Sequence, residues 1–404
     1  MLVTAVLAYF FPFETFLLAY AYLGPLHYLT EISWLHDRNY FSKGKFDFLI
    51  LLIVGVLLSY AAFAKDFGVS IEVYDYFVKM NLFDKLLVFA LFSSILFALV
   101  KNTIIKIVAI LFLYVFVSGW LSPENSEGNS GSTMIFALTS LVPTLIHVYL
   151  FTGLFMLFGA LKNRSKSGLW QILGFVAIPL FLIYIPVDSK KGVLTEFGKN
   201  AYYANGDGFF YTNISILEHF KLVDEPKLTN KQYLANFVNN KKSKQSLPVA
   251  ERNRLNDSLK VMLNDPFIVQ VPGNEYYQKA IPVKYALGSY DKDSYWNVVF
   301  FSSIGIMLMR FIAFAYLYHY LNWFSKTEVI RWHKVPKIRF AAVIVLWIGA
   351  SVFYTYDYSL GLSILFFLSF SHVLLEFPLN IVSIVGIGKE SYSIATKGFR
   401  KSDS

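Results

Sequence analysis

Two segments of the chain carry a histidine and a glutamate four residues apart. His27 and Glu31 lie near the start of the chain, and His372 and Glu376 repeat the spacing near its end. Residues at positions i and i+4 share one face of a helix, so each imidazole and its carboxylate can reach a common ion. Imidazole nitrogen combined with carboxylate oxygen suits Fe(II), Zn or Mn. The two pairs therefore predict a metal site or, as an alternative, a group of proton-exchanging side chains.

Two further histidines, His147 and His319, stand in strongly apolar sequence, where an ionisable side chain is costly to bury. Bundle metal sites are built when several helices each donate one or two such ligands. Fe(II) or Zn is the expected ion, although hydrogen-bonded packing between helices is an alternative role for these side chains. The predicted metal ligands are His27, Glu31, His147, His319, His372 and Glu376.

Besides the histidines and glutamates, Arg310 is a charged residue in an apolar segment, and it requires a counter-ion. Glu14 lies at a similar position within its own apolar segment, which predicts an ion pair between the two. We also place Arg310 with His27 and Glu31 among the candidate catalytic residues. On a regular helix the nine residues from Arg310 to His319 point the two side chains to opposite faces. One small site holds both only if the helix is broken.

Prolines accompany three of the four histidines. Pro25 and Pro143 precede His27 and His147, and Pro378 follows His372. A proline inside a helix removes a hydrogen bond and kinks the chain, which frees carbonyl groups that need a polar surrounding. The prolines therefore predict distorted helices around the histidines.

The segment from Gly24 to Glu31 resembles the first-helix motif of the Brp/Blh carotene-cleaving membrane oxygenases, which have a glycine, a proline and a histidine followed by a carboxylate. The resemblance covers about eight residues. Leu26 is additional here, Tyr28 replaces a small residue, and Glu31 stands where that family has aspartate. The resemblance implies a non-haem iron site at His27, with the other three apolar-segment histidines as its counterparts.

The overall composition is that of a membrane protein. Of the 404 residues, 56% are apolar and only 16% are charged, and the mean hydropathy is +0.49. A typical globular chain carries about 25% charged residues. This composition excludes a disordered chain and argues against nucleic acid as a partner. With no cysteine, the chain has no zinc-thiolate site, iron–sulfur cluster or thiol nucleophile of its own.

We predict an all-α polytopic membrane bundle of about nine transmembrane helices. A span needs about 20 apolar residues. The third and fourth runs are separated by only two residues, so they are alternatively one bent segment. The runs are Leu2–Thr30, Phe46–Ala64, Leu82–Val100, Thr103–Leu121, Thr133–Ala160, Leu169–Val187, Tyr295–Leu321, Phe340–Tyr356 and Leu362–Ile387.

Basic residues alternate between the loops in the way that predicts orientation, since cytoplasmic loops are rich in Lys and Arg. With the N-terminus outside, the inner segments hold 17 basic residues and the short outer loops hold 3. The C-terminus, with a basic tail over 389–404, is then cytoplasmic. A bacterial-type inner or plasma membrane is the expected location. The net charge of +9 follows from these anchors against anionic lipid and requires no polyanionic partner.

One stretch interrupts the apolar pattern and divides the bundle. Residues 1–187 hold six predicted helices and 296–388 hold three. Between them, 188–295 carry 27 of the chain's 63 charges. Strand-like and helical patterns there predict a small α+β insert outside the membrane. This insert is either a lid or a docking domain for an extracytoplasmic partner.

Three functions fit these features. The first is a metal-dependent, oxygenase-like enzyme that acts on an apolar lipid or isoprenoid within the membrane. The second is a proton-coupled transporter in which the His/Glu pairs exchange protons. The third is a membrane scaffold whose insert binds a periplasmic partner. A metal site requires that the ring nitrogens lie within about 5 Å of one another, whereas a relay spaces them along a path.

Overall fold

The computed structural model describes residues 1–62, 68–122, 137–185, 302–331 and 334–399. Between 185 and 302 it describes only 195, 198, 213, 216–217, 219–220, 222, 268–270, 277–279 and 299–300. Most of the predicted insert at 188–295 therefore lies outside the described residues. Its described part includes two short antiparallel strands, β1 (Ile268–Gln270) and β2 (Tyr277–Lys279).

The first half of the chain is helical from its second residue. A π turn, Ala19–Leu23, joins α2 to α3 without a break, and a short 3-10 turn, Asn39–Phe41, follows α3. The α-helices are α1 (Leu2–Phe10), α2 (Pro12–Leu18), α3 (Gly24–His36), α4 (Asp47–Ala62), α5 (Ile71–Lys79), α6 (Leu82–Leu99) and α7 (Thr103–Trp120).

The second half begins with an unusual element, a 15-residue π-helix from Ala137 to Phe151 that contains Pro143. It continues directly into α8. The remaining helices are α8 (Thr152–Lys162), α9 (Lys166–Tyr184), α10 (Ser303–Phe324), α11 (Thr327–Ile330), α12 (Lys337–Tyr356) and α13 (Tyr358–Lys397).

Seven helices in the described residues are long and apolar enough to cross a membrane. They correspond to the third to ninth predicted runs. The first run forms a pair of helices, Leu2–Phe10 and Pro12–His36, bent by 119°, and counting this pair as one span gives eight. The second run, Asp47–Ala62, is apolar but has only 16 residues. These helices fit an integral membrane protein, and the count of nine stays a prediction.

The third and fourth runs form two separate helices, so the single bent segment is not observed. α6 ends at Leu99 and α7 begins at Thr103, where Asn102 accepts hydrogen bonds from the first backbone N–H groups of α7. The two helices pack together through a small core of Val88, Val117 and Leu121. The opposite side of α7 exposes large apolar side chains such as Phe112, 71% exposed, as expected for a lipid-facing helix.

The last helix, α13, is the central element of the bundle. It has 40 residues, about 60 Å, and packs against α3, α4, α6, α8 and α12. Beyond its apolar part it continues through most of the predicted tail, where Glu390 pairs with Arg164 at 2.8 Å. It continues as one helix past Pro378, although the proline has no N–H and one helical hydrogen bond is therefore missing.

Small residues bring α13 close to its neighbours. A Cβ at Gly55 of α4 would lie 2.9 Å from Ser371 Oγ, and a Cβ at Gly386 of α13 would lie 2.4 Å from the Phe158 ring. Helix axes approach this closely only where one side chain is absent. These contacts fix α13 beside α4 and α8, and they set the position of the residues next to Ser371.

The chain divides into two compact units. The first comprises 1–185, 193–205 and 310–404, and the second comprises 186–192 and 206–309. The second unit includes most of the predicted insert and extends to Met309, which is further than the predicted boundary at 295. Every residue of the site described next belongs to the first unit.

Candidate metal centre

The four histidines of the apolar segments come together in the interior of the first unit. They come from α3, the π-helix, α10 and α13, and each is 6% exposed or less. Centroids of neighbouring rings are 4.6 to 5.3 Å apart. The members are His27, His147, His319 and His372.

The imidazole nitrogens face one another in two pairs. Nε2 of His27 lies 2.9 Å from Nε2 of His319, and Nε2 of His147 lies 3.2 Å from Nε2 of His372. Two nitrogens bound at about 2.1 Å to one ion, at right angles, are about 3.0 Å apart. The observed separations therefore match neighbouring positions around a metal ion.

A hydrogen bond fixes the protonation of His319. Thr152 donates its hydroxyl hydrogen to the carbonyl of Val148 at 3.0 Å, and the same oxygen lies 2.7 Å from His319 Nδ1. With the hydroxyl hydrogen directed to Val148, His319 Nδ1 is the donor in this contact. Nε2 of His319 is then left with a free lone pair that faces the other rings.

His372 has the same tautomer for a similar reason. Its Nδ1 contacts the carbonyl oxygen of Ser369, which can only accept a hydrogen bond. Nε2 of His372 therefore also presents a lone pair to the cluster. Metal-bound histidines characteristically donate their outer nitrogen to a carbonyl or another oxygen in this way.

Two carboxyl groups border the rings, and both are buried: Glu31 is 2% exposed and Glu376 is fully buried. Glu31 Oε2 lies 3.0 Å from His27 Nε2, whereas Glu376 Oε2 lies 3.5 Å from His147 Nδ1. The two carboxyl groups also lie next to each other. Oxygens of both have no hydrogen-bond partner.

Burying one carboxylate costs several kcal/mol unless a cation or proton compensates for it, and two adjacent ones cost more. A divalent cation would satisfy both carboxylates and the free nitrogens together. Two sets of three residues have ligand atoms that all lie within 4.8 Å: His27, His319 and His372, and His147, His372 and Glu376. The donor set of nitrogen and oxygen fits Fe(II), Zn or Mn.

Distorted helices position two of the histidines. His27 follows the π turn and Pro25, which lies at the start of α3 where its missing N–H leaves no donor unsatisfied. His147 lies inside the π-helix, four residues after Pro143. π-helical turns occur frequently at functional sites because they redirect side chains. The irregularities predicted from the prolines are present at these two positions.

A group of tyrosines closes one side of the cluster. The Tyr28 ring stacks on His372 at 4.2 Å, and its hydroxyl lies 2.9 Å from that of Tyr320. Tyr320 in turn packs against His27, and both tyrosines are 2% exposed or less. Sequence reasoning assigned neither residue a role, although Tyr28 directly follows His27. The tyrosines make this side of the centre dry and closely packed.

A cavity of about 730 Å³ reaches the centre, and neither Tyr28 nor Tyr320 is among the residues that line it. His27, Glu31, His319 and Glu376 line its inner end. Aromatic and apolar side chains of α3, α8 and α10 line its middle, among them Phe155, Met156 and Trp323. Lys162, Asn163 and Ser167 line its outer end and are exposed, so the cavity opens to the surface there. Its volume is typical of a small-molecule site.

Arg310 lies apart from the cluster, and the predicted ion pair with Glu14 is wrong. Its Nε donates to the carbonyl of Tyr9 at 3.3 Å, and its guanidinium stacks over the Tyr9 ring at 4.0 Å. Glu14 instead accepts hydrogen bonds from the N–H and hydroxyl of Thr195 at 2.9 and 2.5 Å. Because α10 is an unbroken helix, Arg310 and His319 stay on different faces, as the sequence required.

Comparison with family models, with curated proteins and with solved structures gives no match to this chain. The resemblance of the segment around His27 to the carotene-cleaving oxygenases therefore stays a prediction.

Proposed function

We propose that the protein is a membrane-embedded metal-dependent enzyme of an oxygenase-like kind that acts on a lipid or isoprenoid. The observation that carries the proposal is the convergence of four buried imidazoles and two buried carboxyls at the inner end of a cavity. Two of the imidazoles are held with their inner nitrogens unprotonated, which is the form that binds a metal.

Each residue has a distinct part in this proposal. His27, His319, His372 and His147 would hold the ion, with Glu31 as the oxygen ligand nearest to them. When bound, Fe(II) would supply activation of dioxygen, and Zn would supply activation of water. Thr152 orients His319 through its hydroxyl oxygen. Phe155, Met156 and Trp323 would hold the apolar part of a substrate against the centre and exclude water.

The remaining predictions belong to this proposal. We place the protein in a bacterial-type inner or plasma membrane, with the N-terminus outside and the C-terminus cytoplasmic, and with nine spans. The resemblance of the segment at His27 favours iron over zinc. Arg310 has no part in the chemistry proposed here, because its contacts are to Tyr9.

A proton-coupled transporter is the competing function. A relay needs groups spaced along a path, whereas each of these rings has two of the others with centroids within 5.3 Å. The cavity reaches the cluster, and the tyrosines that pack against the rings do not line this cavity. The geometry therefore favours a metal centre over a transport path.

The test is metal analysis of protein purified in detergent and reconstituted with Fe(II) or Zn(II) under argon. We expect at least one equivalent of metal in the wild type and less than a tenth of that in the double variant His27→Ala/His372→Ala. The matched control is His36→Ala, because His36 is exposed and pairs with Asp37 outside the cluster. Equal metal content in all three proteins would end the proposal.

A further inference from the structure

We propose that the cavity binds a single-chain lipid by an anionic headgroup, carboxylate or phosphate, with the chain directed at the metal centre. This inference names the substrate class and rests on the proposed function. It starts from the lining of the cavity, which changes in character from its inner to its outer end.

Helices α3, α8, α10 and α13 run in the same direction from the centre to the cavity mouth. Residues later in the sequence of these helices also contact one another between helices. Trp323 donates to Thr30 at 3.0 Å, between α10 and α3. Phe158 of α8 contacts Gly386 of α13. This shared direction brings the C-terminal ends of α8 and α10 to the mouth, where Lys162 and Lys326 line the cavity, while α13 continues past it to Lys397.

The cavity is long enough for a chain segment. From His319 to Lys326 is seven residues, about 10 Å along the helix, and from Thr152 to Lys162 is ten residues, about 15 Å. All four of these residues line the cavity. Between the two levels the walls are mainly Phe155, Met156, Trp323 and Leu379, and the polar side chains there are Asn322, Gln171 and Ser383.

The charge at the two ends is opposite. The inner end carries Glu31 and Glu376, while Lys162 and Lys326 border the mouth. Ser165, Ser167 and Asn163 add hydrogen-bonding groups at the same level. Lysine, serine and asparagine together recognise carboxylate and phosphate oxygens. A lipid with an anionic head is therefore oriented head outward, so that its chain, and not its head, reaches the metal ligands.

The bundle offers an independent way to observe such binding. Trp34 and Trp323 line the cavity, so a brominated chain bound there quenches their fluorescence. The probes are dibromostearate, the corresponding dibromostearyl phosphate and the neutral dibromostearyl alcohol, added to protein in phosphatidylcholine nanodiscs. The chain is the same in all three, so any difference between them arises from the headgroup.

We expect the two acids to bind about tenfold tighter than the alcohol, and the tighter acid identifies the headgroup. In Lys162→Gln/Lys326→Gln this preference should disappear while binding of the alcohol and metal content stay unchanged. The control is Lys337→Gln/Lys389→Gln, which removes two exposed lysines that do not line the cavity and should keep the preference.

Equal binding of acid and alcohol to the wild type, or equal loss of the preference in both double variants, would overturn the proposal. The second result would mean that the lysines act only through the general positive charge of the surface. A protein without metal that still prefers the acids would contradict the proposed enzyme and leave the lipid site standing.

Discussion

The two His–Glu segments have the same spacing and opposite internal geometry. In α3, the inner nitrogen of His27 faces its own Glu31 at 3.0 Å. In α13, His372 turns its inner nitrogen to His147 and donates its outer nitrogen to Ser369, and Glu376 lies beside the outer nitrogen of His147. An i, i+4 spacing therefore places two groups on one face but does not decide whether they contact each other.

This difference assigns different tasks to the two carboxyl groups. Glu31 lies on the ion side of His27 and is a candidate ligand. Glu376 is nearest to the nitrogen of His147 that points away from His372, so by distance it orients that ring, although it also belongs to a set of possible metal ligands with His147 and His372. A carboxylate that contacts the outer nitrogen of a metal-bound histidine fixes the ring and raises its basicity.

The largest effect on metal affinity should come from the two single variants Glu31→Gln and Glu376→Gln. Loss of a direct ligand should weaken metal binding on the order of a hundredfold or more, and loss of an orienting group about tenfold. Competition with a chelator of known affinity measures both. Glu390→Gln, which alters only the ion pair with Arg164 at the end of α13, is the control. A larger effect at Glu376 would reverse the assignment of the two carboxyls.

A somewhat smaller effect is expected from Thr152→Val, which keeps the side-chain shape and removes the acceptor that holds His319. Metal affinity should fall by about 10 to 100-fold, because the ring loses its fixed tautomer. The control is Thr396→Val, since Thr396 is exposed and bonds only backbone carbonyls of its own helix. Unchanged affinity in Thr152→Val would contradict the role of Thr152 in orienting His319.

Packing beside α13 gives a third test, this time of stability. Gly55→Ala adds a methyl group 2.9 Å from Ser371 Oγ, next to His372. Relative to the same change at an open helical site, the added methyl should lower the free energy of unfolding by about 1 kcal/mol, because the Ser371 hydroxyl must rotate away to accept it. Gly349→Ala in α12, where nothing lies within 4 Å, should be neutral or stabilising. Thermal unfolding in detergent compares them, and an equal midpoint for the two variants would contradict the close approach.

The smallest effect concerns the end of α3, where the Arg339 guanidinium hydrogen-bonds Asp37 and lowers the pKa of that carboxyl. A lowered pKa in the folded state stabilises the fold above the unfolded pKa, near 3.8, and the contribution is lost as the pH falls through the lower, folded value. Asp37 is 43% exposed, so Asp37→Asn should cost at most ~1 kcal/mol at neutral pH. Thermal unfolding of both proteins across this pH range measures the difference. If the stability difference between the wild type and Asp37→Asn grew towards acid pH, it would contradict the lowered pKa of Asp37.

Much of the membrane architecture follows from the sequence because a bilayer imposes length and hydropathy on each helix. The sequence predicted that the four histidine rings would come together, because burying an ionisable side chain is costly unless it has a partner. Partners outside the local sequence were not predictable. Thr152 contacts His319 across 167 residues of sequence, and Glu14 accepts hydrogen bonds from Thr195 across 181 residues.

The exposed His36 shows that a histidine close in sequence to the cluster need not belong to it. It follows Glu31 closely in sequence and lies at the end of the same helix, yet it is exposed and contacts Asp37 and Arg339. Proximity in sequence to a ligand therefore does not predict membership of the centre. The residues that line the cavity between α8 and α10 had no signal beyond their apolar character, because a cavity is a property of packing and leaves no local pattern.

The most direct test of the central claim is X-ray absorption spectroscopy at the iron or zinc edge of the reconstituted protein. A first shell of nitrogen and oxygen near 2.0 to 2.2 Å is expected, with the outer-shell scattering of at least three imidazole rings. In His27→Ala/His372→Ala, which should retain less than a tenth of the metal, the absorption edge should shrink accordingly and the remaining signal should lack the imidazole scattering. An ion held by oxygen alone, or one whose spectrum is the same in the double variant, would contradict a metal centre built from these four histidines.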